Sequence, residues 1–401
     1  MTKIKMLLCM ALLPALCFGG GFQINTQGVK ALGMGSTFSG ICSDASTVFY
    51  NPGGMSLLKK NMFTLGTTII MPKASFLSPV NGNVNMESQT FTPIQLYGVY
   101  KIKNLSVGLS VNNPFGLGAK WDDKWEGRYV SQEVELQTFY IQPTVAYQIN
   151  DKFGFGAGFV YCTGSATVRK AAQAINDDVN VTLEGKGSGY GFNLGVFVKP
   201  MEKLGIGLSY RSGVKVDLKD GDATLTGIPS SLSSQLPATA KFNSNLNLPD
   251  VFSFGASYKV TAKLLVSAGY DFTGWKSYDS LNFIFPDNAS LDSRNERNYK
   301  STGAIRFGAQ YTLKEKIDLR IGFSSDKSPV QDGYLSPELP DADKSALSIG
   351  GSYKISDKLS VDLSYVYESL KERKGEYKEE QFGGTYKTII NAVGFGINYS
   401  F

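Results

Sequence analysis

None of the 401 residues is histidine. That removes Ser–His and Cys–His nucleophile pairs, the usual zinc sites and the commonest general base. Carboxylate or lysine chemistry remains, but no compact constellation for it is present. The chain therefore reads as a protein that is not an enzyme, with no metal and no cofactor. Its informative charges are cations inside alternating segments. In FGAGFVYCTGSATVRK (155–170), Phe155, Phe159 and Tyr161 share one face, which puts Lys170 on the opposite face and Arg169 with the rings. In NYKSTGAIRFGAQY (298–311), Ile305, Phe307 and Tyr311 share a face, and Lys300 and Arg306 fall opposite. Such cations can hold a carboxylate through charge-assisted hydrogen bonds. They can equally pair with Asp or Glu of their own face. A second group is apolar. NPFGLGAKWDDKWEGRY (113–129) carries Phe115, Leu117, Trp121, Trp125 and Tyr129 in a polar setting. Exposed, these would form a binding groove. The other reading is that the rings pack the loop onto its neighbours or sit at a lipid interface.

The segments that position these residues alternate with period two, as strands do. The C-terminal VGFGINYSF (393–401) is an example: Val393, Phe395, Ile397, Tyr399 and Phe401 share one face, and Gly, Asn and Ser the other. Short polar turns recur at 101–105, 149–153, 200–204, 260–264, 313–317 and 355–359, each between two alternating segments. These make six hairpins. MFTLGTTIIM (62–71) and the C-terminal strand raise the count to fourteen. Connections at the other end are long and rich in Asp, Asn, Ser, Gly and Pro: about 72–92, 112–133, 171–187, 219–244, 282–297, 325–344 and 368–386. Tight turns at one end, long loops at the other and an even strand number are the layout of an outer-membrane barrel. Lipid offers a backbone no hydrogen-bond partners, so a spanning sheet must close on itself. The predicted fold is all-β, a 14-stranded antiparallel transmembrane β-barrel. A soluble all-β sandwich would have to explain the strict alternation of short turns and long loops.

Residues 1–20 read as a secretory signal peptide: Lys3 and Lys5, an apolar stretch from Met6 to Phe18, then small residues. A lipoprotein site at Cys17 is the rival, but Leu16 is bulky for the preceding position. The net charge of +5 is small and spread out, which does not call for nucleic acid. Residues 21–60 precede the barrel (61–401) and are rich in small residues, yet Phe22, Phe38, Phe49 and Tyr50 ask for burial. They are predicted to fold as a plug, or hatch, in the lumen. Cys42 and Cys162, the two cysteines beyond the leader, either pair or remain free thiols.

Taken together these segments resemble the FadL-type transporters of long-chain fatty acids and hydrocarbons. GFQINTQGVKALGMG (21–35) and DASTVFYNPGGM (44–55) resemble the family's hatch, whose Asn-Pro-Ala motif reads Asn51-Pro52-Gly53 here. Glycine at the third place is expected to loosen the backbone. WEGRY (125–129), LNLPDVF (246–252), DFTGWKSYDSL (271–281) and DKSPVQDGYLSPELPDADK (326–344) are similar to family segments in order and spacing. The resemblance implies passive outer-membrane transport of hydrophobic compounds, with long-chain fatty acids the leading class. Small aromatic hydrocarbons, or a general diffusion porin, are the alternatives. It also implies an apolar groove among the loops, a lumenal pocket above the hatch, and a hatch-gated sideways exit near residues 105–112. Basic wall residues that face the ligand carboxylate match VRKAAQ (168–173) and NYKSTGAIRFG (298–308), in agreement with the phase of Lys170 and Lys300. The implied partners are hydrophobic small molecules, outer-membrane lipid, and the barrel-assembly machinery acting through Phe401 in a monomeric protein.

Overall fold

The computed structural model describes residues 20–174 and 178–401. The expected signal peptide thus lies outside the described residues except for Gly20. Alternating segments become fourteen wall strands. In chain order they are β1 (Met62–Ser78), β2 (Ile94–Ile102), β3 (Leu105–Asn112, continued by Gly116–Lys120), β4 (Glu133–Asn150), β5 (Phe153–Gln173), β6 (Asp178–Met201) and β7 (Leu204–Arg211, continued by Val214–Thr226). Then follow β8 (Thr239–Leu248, continued by Val251–Lys259), β9 (Leu264–Thr273), β10 (Thr302–Lys314), β11 (Ile317–Asp326), β12 (Lys344–Lys354), β13 (Leu359–Leu370) and β14 (Phe382–Ser400). Each strand pairs antiparallel with its neighbour, and β14 closes on β1 from Ser400–Met62 up to Thr385–Leu77. The apolar face of the alternation points outward: Leu65, Phe159, Phe192, Leu208, Phe307, Ile349 and Phe395 are all exposed, as a lipid-facing surface requires.

The strands outrun the sequence reading at the loop end. Most of 171–187 and 219–244, predicted as loop, is strand, because β5 runs to Gln173, β6 starts at Asp178 and β7 reaches Thr226. Here the pattern inverts. Leu208 is exposed and Arg211 buried, but three residues on Val214, Val216 and Leu218 are buried while Lys215 and Asp217 face out. The step falls at Ser212–Gly213 in β7, and a matching step falls at Pro249–Asp250 in β8. A one-residue slip moves every later side chain to the other face. Above it the barrel wall is dry inside and wet outside. Its outer polar residues look like loop in a linear reading.

Residues 21–58 thread the lumen with three one-turn helices, α1 (Val29–Leu32), α2 (Thr47–Tyr50) and α3 (Pro52–Met55). Helices this short leave most of their carbonyls without partners of their own. Wall side chains supply the donors: Gln142 Nε2 to Val48 O (3.0 Å), Ser209 Oγ to Tyr50 O (2.8 Å), Ser257 Oγ to Gly40 O (2.7 Å) and Lys101 Nζ to Ser56 O (2.8 Å). Val48, Phe49, Met55 and Leu58 meanwhile pack against Tyr97, Val99 and Ala146 of the wall. Cys42 and Cys162 are both free thiols.

Asn51 locks this segment to the wall. Its Oδ1 accepts from Gly53 N (3.0 Å), capping α3, and its Nδ2 donates to Ser39 O (3.1 Å) and Val196 O (3.0 Å). Pro52 occupies the first helical turn, where its missing N–H costs nothing. Gly53 is pressed on the wall and does not loosen it. A Cβ there would lie 2.7 Å from Gly195 O and 2.8 Å from Gly154 O. Gly53→Ala should therefore destabilise the protein by about 1–3 kcal/mol through overpacking. The readout is a lower temperature for loss of the compact, heat-modifiable gel band. An unchanged temperature would mean that the wall yields freely at this contact.

Candidate functional site

Above the plug lies a cavity of about 280 Å3. Phe22, Ile24 and Leu32 of the plug face Phe115, Leu136 and Val366 of the wall and loops across it. Two cations reach its lining. Arg306, 4 % exposed, donates from Nε to Asp271 Oδ2 at 2.6 Å and lies 3.5 Å from Asp326 Oδ2 through Nη2. The Lys344 ammonium lies 3.5 Å from Glu368 Oε1. Both are buried and both are neutralised by wall carboxylates, as charges in a low-dielectric interior must be.

A second apolar cavity, about 70 Å3, sits among the inverted upper parts of β5 to β8, lined by Val168, Leu183, Leu218, Phe242 and Leu246. It shares Phe22, Leu117, Leu136 and Leu339 with the first, so the two abut. At its rim Arg297 pairs with Glu338 at 2.6 Å. Burial works against the Arg297 charge, but Glu338 outweighs it and holds the guanidinium pKa above its ordinary value.

The wall is broken beside the larger cavity. Pairing of β2 with β3 stops at Gln95–Asn112; the upper part of β3 runs its ladder with β4, and Lys120 O accepts from Glu87 N at 2.8 Å. Between the two parts of β3, Phe115 turns inward, forms a bridge with Gln23 and packs edge-on to Trp275 (6.2 Å between centroids). Asn113 satisfies the interrupted ladder with its side chain, accepting from Ile94 N (2.8 Å) and donating to Thr138 O (2.6 Å). Phe91 fills the break. Its backbone bonds Ile70, and its ring lies where a Cβ on Gly118 would be. Both Phe91 and Gly118 line the cavity.

The predicted site residues separate into two groups. Arg306, Phe115 and Leu117 come together at the cavity wall. Lys170 follows Ala166 and Val168 along the inward face of β5, but its ammonium lies at the mouth, 4.0 Å from Glu380, outside both cavity linings. Lys300 precedes β10 by two residues and is exposed, so strand alternation does not govern it. Of the two readings left open for the tryptophans, an exposed groove or rings that pack the loop, the buried positions fit packing, and they are not exposed as a groove would need. Trp121 is fully buried and stacks on Trp125 at 4.6 Å. Their indole N–H groups donate to Pro337 O (3.1 Å) and Ser131 O (2.8 Å), so the rings pack this loop onto its neighbours. Tyr129 is half-buried and donates to Asp178 at 2.8 Å. Lys344 was missed. The phase of ALSIGGSYKI, with Leu347 and Ile349 outward, puts it inward as well and would have found it.

The family model described as outer membrane protein transport protein (OMPP1/FadL/TodX) matches residues 10–401. The chain belongs to this family. Relatives include outer membrane protein P1 of Haemophilus influenzae, 27% identical over 98% of each chain. The long-chain fatty acid transport protein of Escherichia coli is 24% identical over 100% of this chain and 98% of its own. Among solved structures, a Pseudomonas aeruginosa FadL homologue superposes with a TM-score of 0.85 at 19% identity, covering 95% of this chain and 100% of that one. The Pseudomonas putida toluene transporter TodX gives 0.73 at 16% identity, covering 96% and 98%. The protein is thus an outer-membrane β-barrel of a transport family, crossing the bilayer with fourteen strands. Family membership does not soften the local electrostatics. Arg306→Ala would leave buried Asp326 and half-buried Asp271 without their cation. A loss of about 3–5 kcal/mol follows, seen as a markedly lower unfolding temperature, and Arg306→Ala with Asp271→Asn should recover part of it.

Proposed function

We propose that this protein lets hydrophobic molecules, long-chain fatty acids foremost, pass down their gradient through the outer membrane. One observation carries the reading: an apolar cavity inside a closed barrel that lies beside a break in the wall between β2 and β3, a break occupied by Phe91. Apolar surface costs about 25 cal/mol per Å2 in water. A greasy ligand therefore gains little from a watery pore and much from a dry pocket with a sideways door. Residues 21–60 act as the hatch: they fill the lumen below the cavity, which argues against a general diffusion porin and for low conductance in planar bilayers. Relatives named for fatty acid transport support the substrate class. Lys170 and Lys300, outside both cavities, would meet a carboxylate only on its way in. The chain works as a monomer, is assembled through recognition of its exposed C-terminal Phe401, and catalyses no reaction on what it passes.

A second reading, uptake of small aromatic hydrocarbons, has its own support. Phe22, Phe91 and Phe115 surround the cavity, and the Arg306 and Lys344 charges at its wall are already paired. Native mass spectrometry of protein purified from outer membranes in mild detergent separates the two. A bound long-chain fatty acid is expected, and it should survive Lys170→Ala with Lys300→Ala, because neither lysine lines a cavity. Retention of a neutral aromatic compound in its place would move the substrate to hydrocarbons. Phe91→Ala should speed release of bound ligand into lipid vesicles several-fold with little change in folding. Release at the parent rate would put the exit elsewhere.

A further inference from the structure

Beneath the large cavity a polar chamber of about 40 Å3 separates the plug from the wall. The two share Gln23, Ile24, Asn25, Ser36 and Arg306 in their linings, so they abut. Arg211, the last residue of the lower part of β7, projects into this chamber and is 9 % exposed. Four arginines are buried among the described residues, and three have carboxylates: Arg297 has Glu338, Arg306 has Asp271 and Asp326, and Arg320 has Asp318 and Asp362. Among the described residues Arg211 has no carboxylate within ion-pair distance. Its Nη2 donates to Phe49 O at 2.7 Å, its guanidinium lies 3.7 Å over the Phe49 ring, and its Nε, fully buried, has no protein acceptor. The Tyr50 hydroxyl, in the same lining, also lacks a protein partner.

Burying a cation within a membrane-spanning barrel without a countercharge is costly, and such a residue commonly marks a ligand path. The Nε–H and Nη2–H of a guanidinium point the same way and grip a carboxylate with two parallel bonds. In Arg211 one of these donors is committed to a backbone carbonyl and the other is not. We propose that this edge of Arg211, with the Tyr50 hydroxyl, is a carboxylate-binding station for an amphiphilic acid whose tail lies in the cavity above. The inference rests on the passage of fatty acids proposed above. It follows that a two-bond grip draws Nη2 away from Phe49 O, so the bound head competes with α2 for the same guanidinium.

The test compares dodecanoate with dodecanol, equal tails with and without the charge, on the full-length protein in detergent by calorimetry. The wild type should bind dodecanoate about tenfold or more tightly than dodecanol, the scale of a charge-assisted hydrogen-bonded pair. Arg211→Gln should bring dodecanoate down to dodecanol. If Arg211→Gln keeps the preference, the station is elsewhere and the inference is wrong. If the wild type binds both probes equally, hydrophobic passage stands and the Arg211 station falls. If it binds neither, the fatty acid reading fails and takes this inference with it. Should Arg211→Gln not give a folded, heat-modifiable barrel, Arg211→Lys keeps the charge but not the paired donors. A preference reduced several-fold is then expected, and an undiminished one overturns the proposal.

Discussion

Hydrocarbon contains nothing that can bond a peptide group, and every level of this structure answers that fact. The wall closes because an open edge would leave a row of N–H and C=O groups in lipid. The seam between β14 and β1 is paired over almost the full height of both strands. Inside, the plug has only one-turn helices, and its carbonyls are met one by one by Gln142, Ser209, Ser257 and Lys101. The polar inner face of the lower wall is therefore a set of partners for the plug, and not the lining of a water channel.

The same requirement explains how the wall can break without failing. Where β3 leaves β2, the amide of Ile94 and the carbonyl of Thr138 would otherwise lose their partners. The Asn113 side chain takes both. Asn51 does the equivalent inside the plug, bonding Gly53, Ser39 and Val196. An asparagine carboxamide reproduces a peptide's donor and acceptor, so it can stand in where the chain must turn aside. These side chains let the wall ladder break beside an apolar cavity with the surrounding backbone still bonded.

Charge obeys a related rule. Arg306, Arg320 and Lys344 are buried, and each lies with carboxylates of its own or nearby strands. The pairing leaves the cavity walls electrically quiet and suited to greasy ligands. Arg211 departs from the rule, and that departure sets it apart from the other buried cations. Paired Arg306 lines both the apolar pocket and the polar chamber below it, and unpaired Arg211 lines the chamber.

Strand number, closure, the lipid-facing rings and the plug were all readable from the order of residues, because period-two alternation is a local property that lipid enforces along every strand. The inward phase of Arg306 was readable for the same reason, and that of Lys344 was available to it. Three things were not. In β7 and β8 the inverted upper wall is set off by steps at Ser212–Gly213 and Pro249–Asp250, above which polar residues face water and the same letters read as loop. The burial of Trp121 and Trp125 depends on Pro337 and Ser131 and on rings from distant strands and loops. Whether a lumenal cation is free or spent depends on its partner, and Arg306 meets Asp271 from 35 residues away, across a strand pair. Sequence alone determined which face each strand residue takes, since that is set by its immediate neighbours. Only the closed tertiary structure decided what stands opposite it, because closure brings together residues that no local period relates.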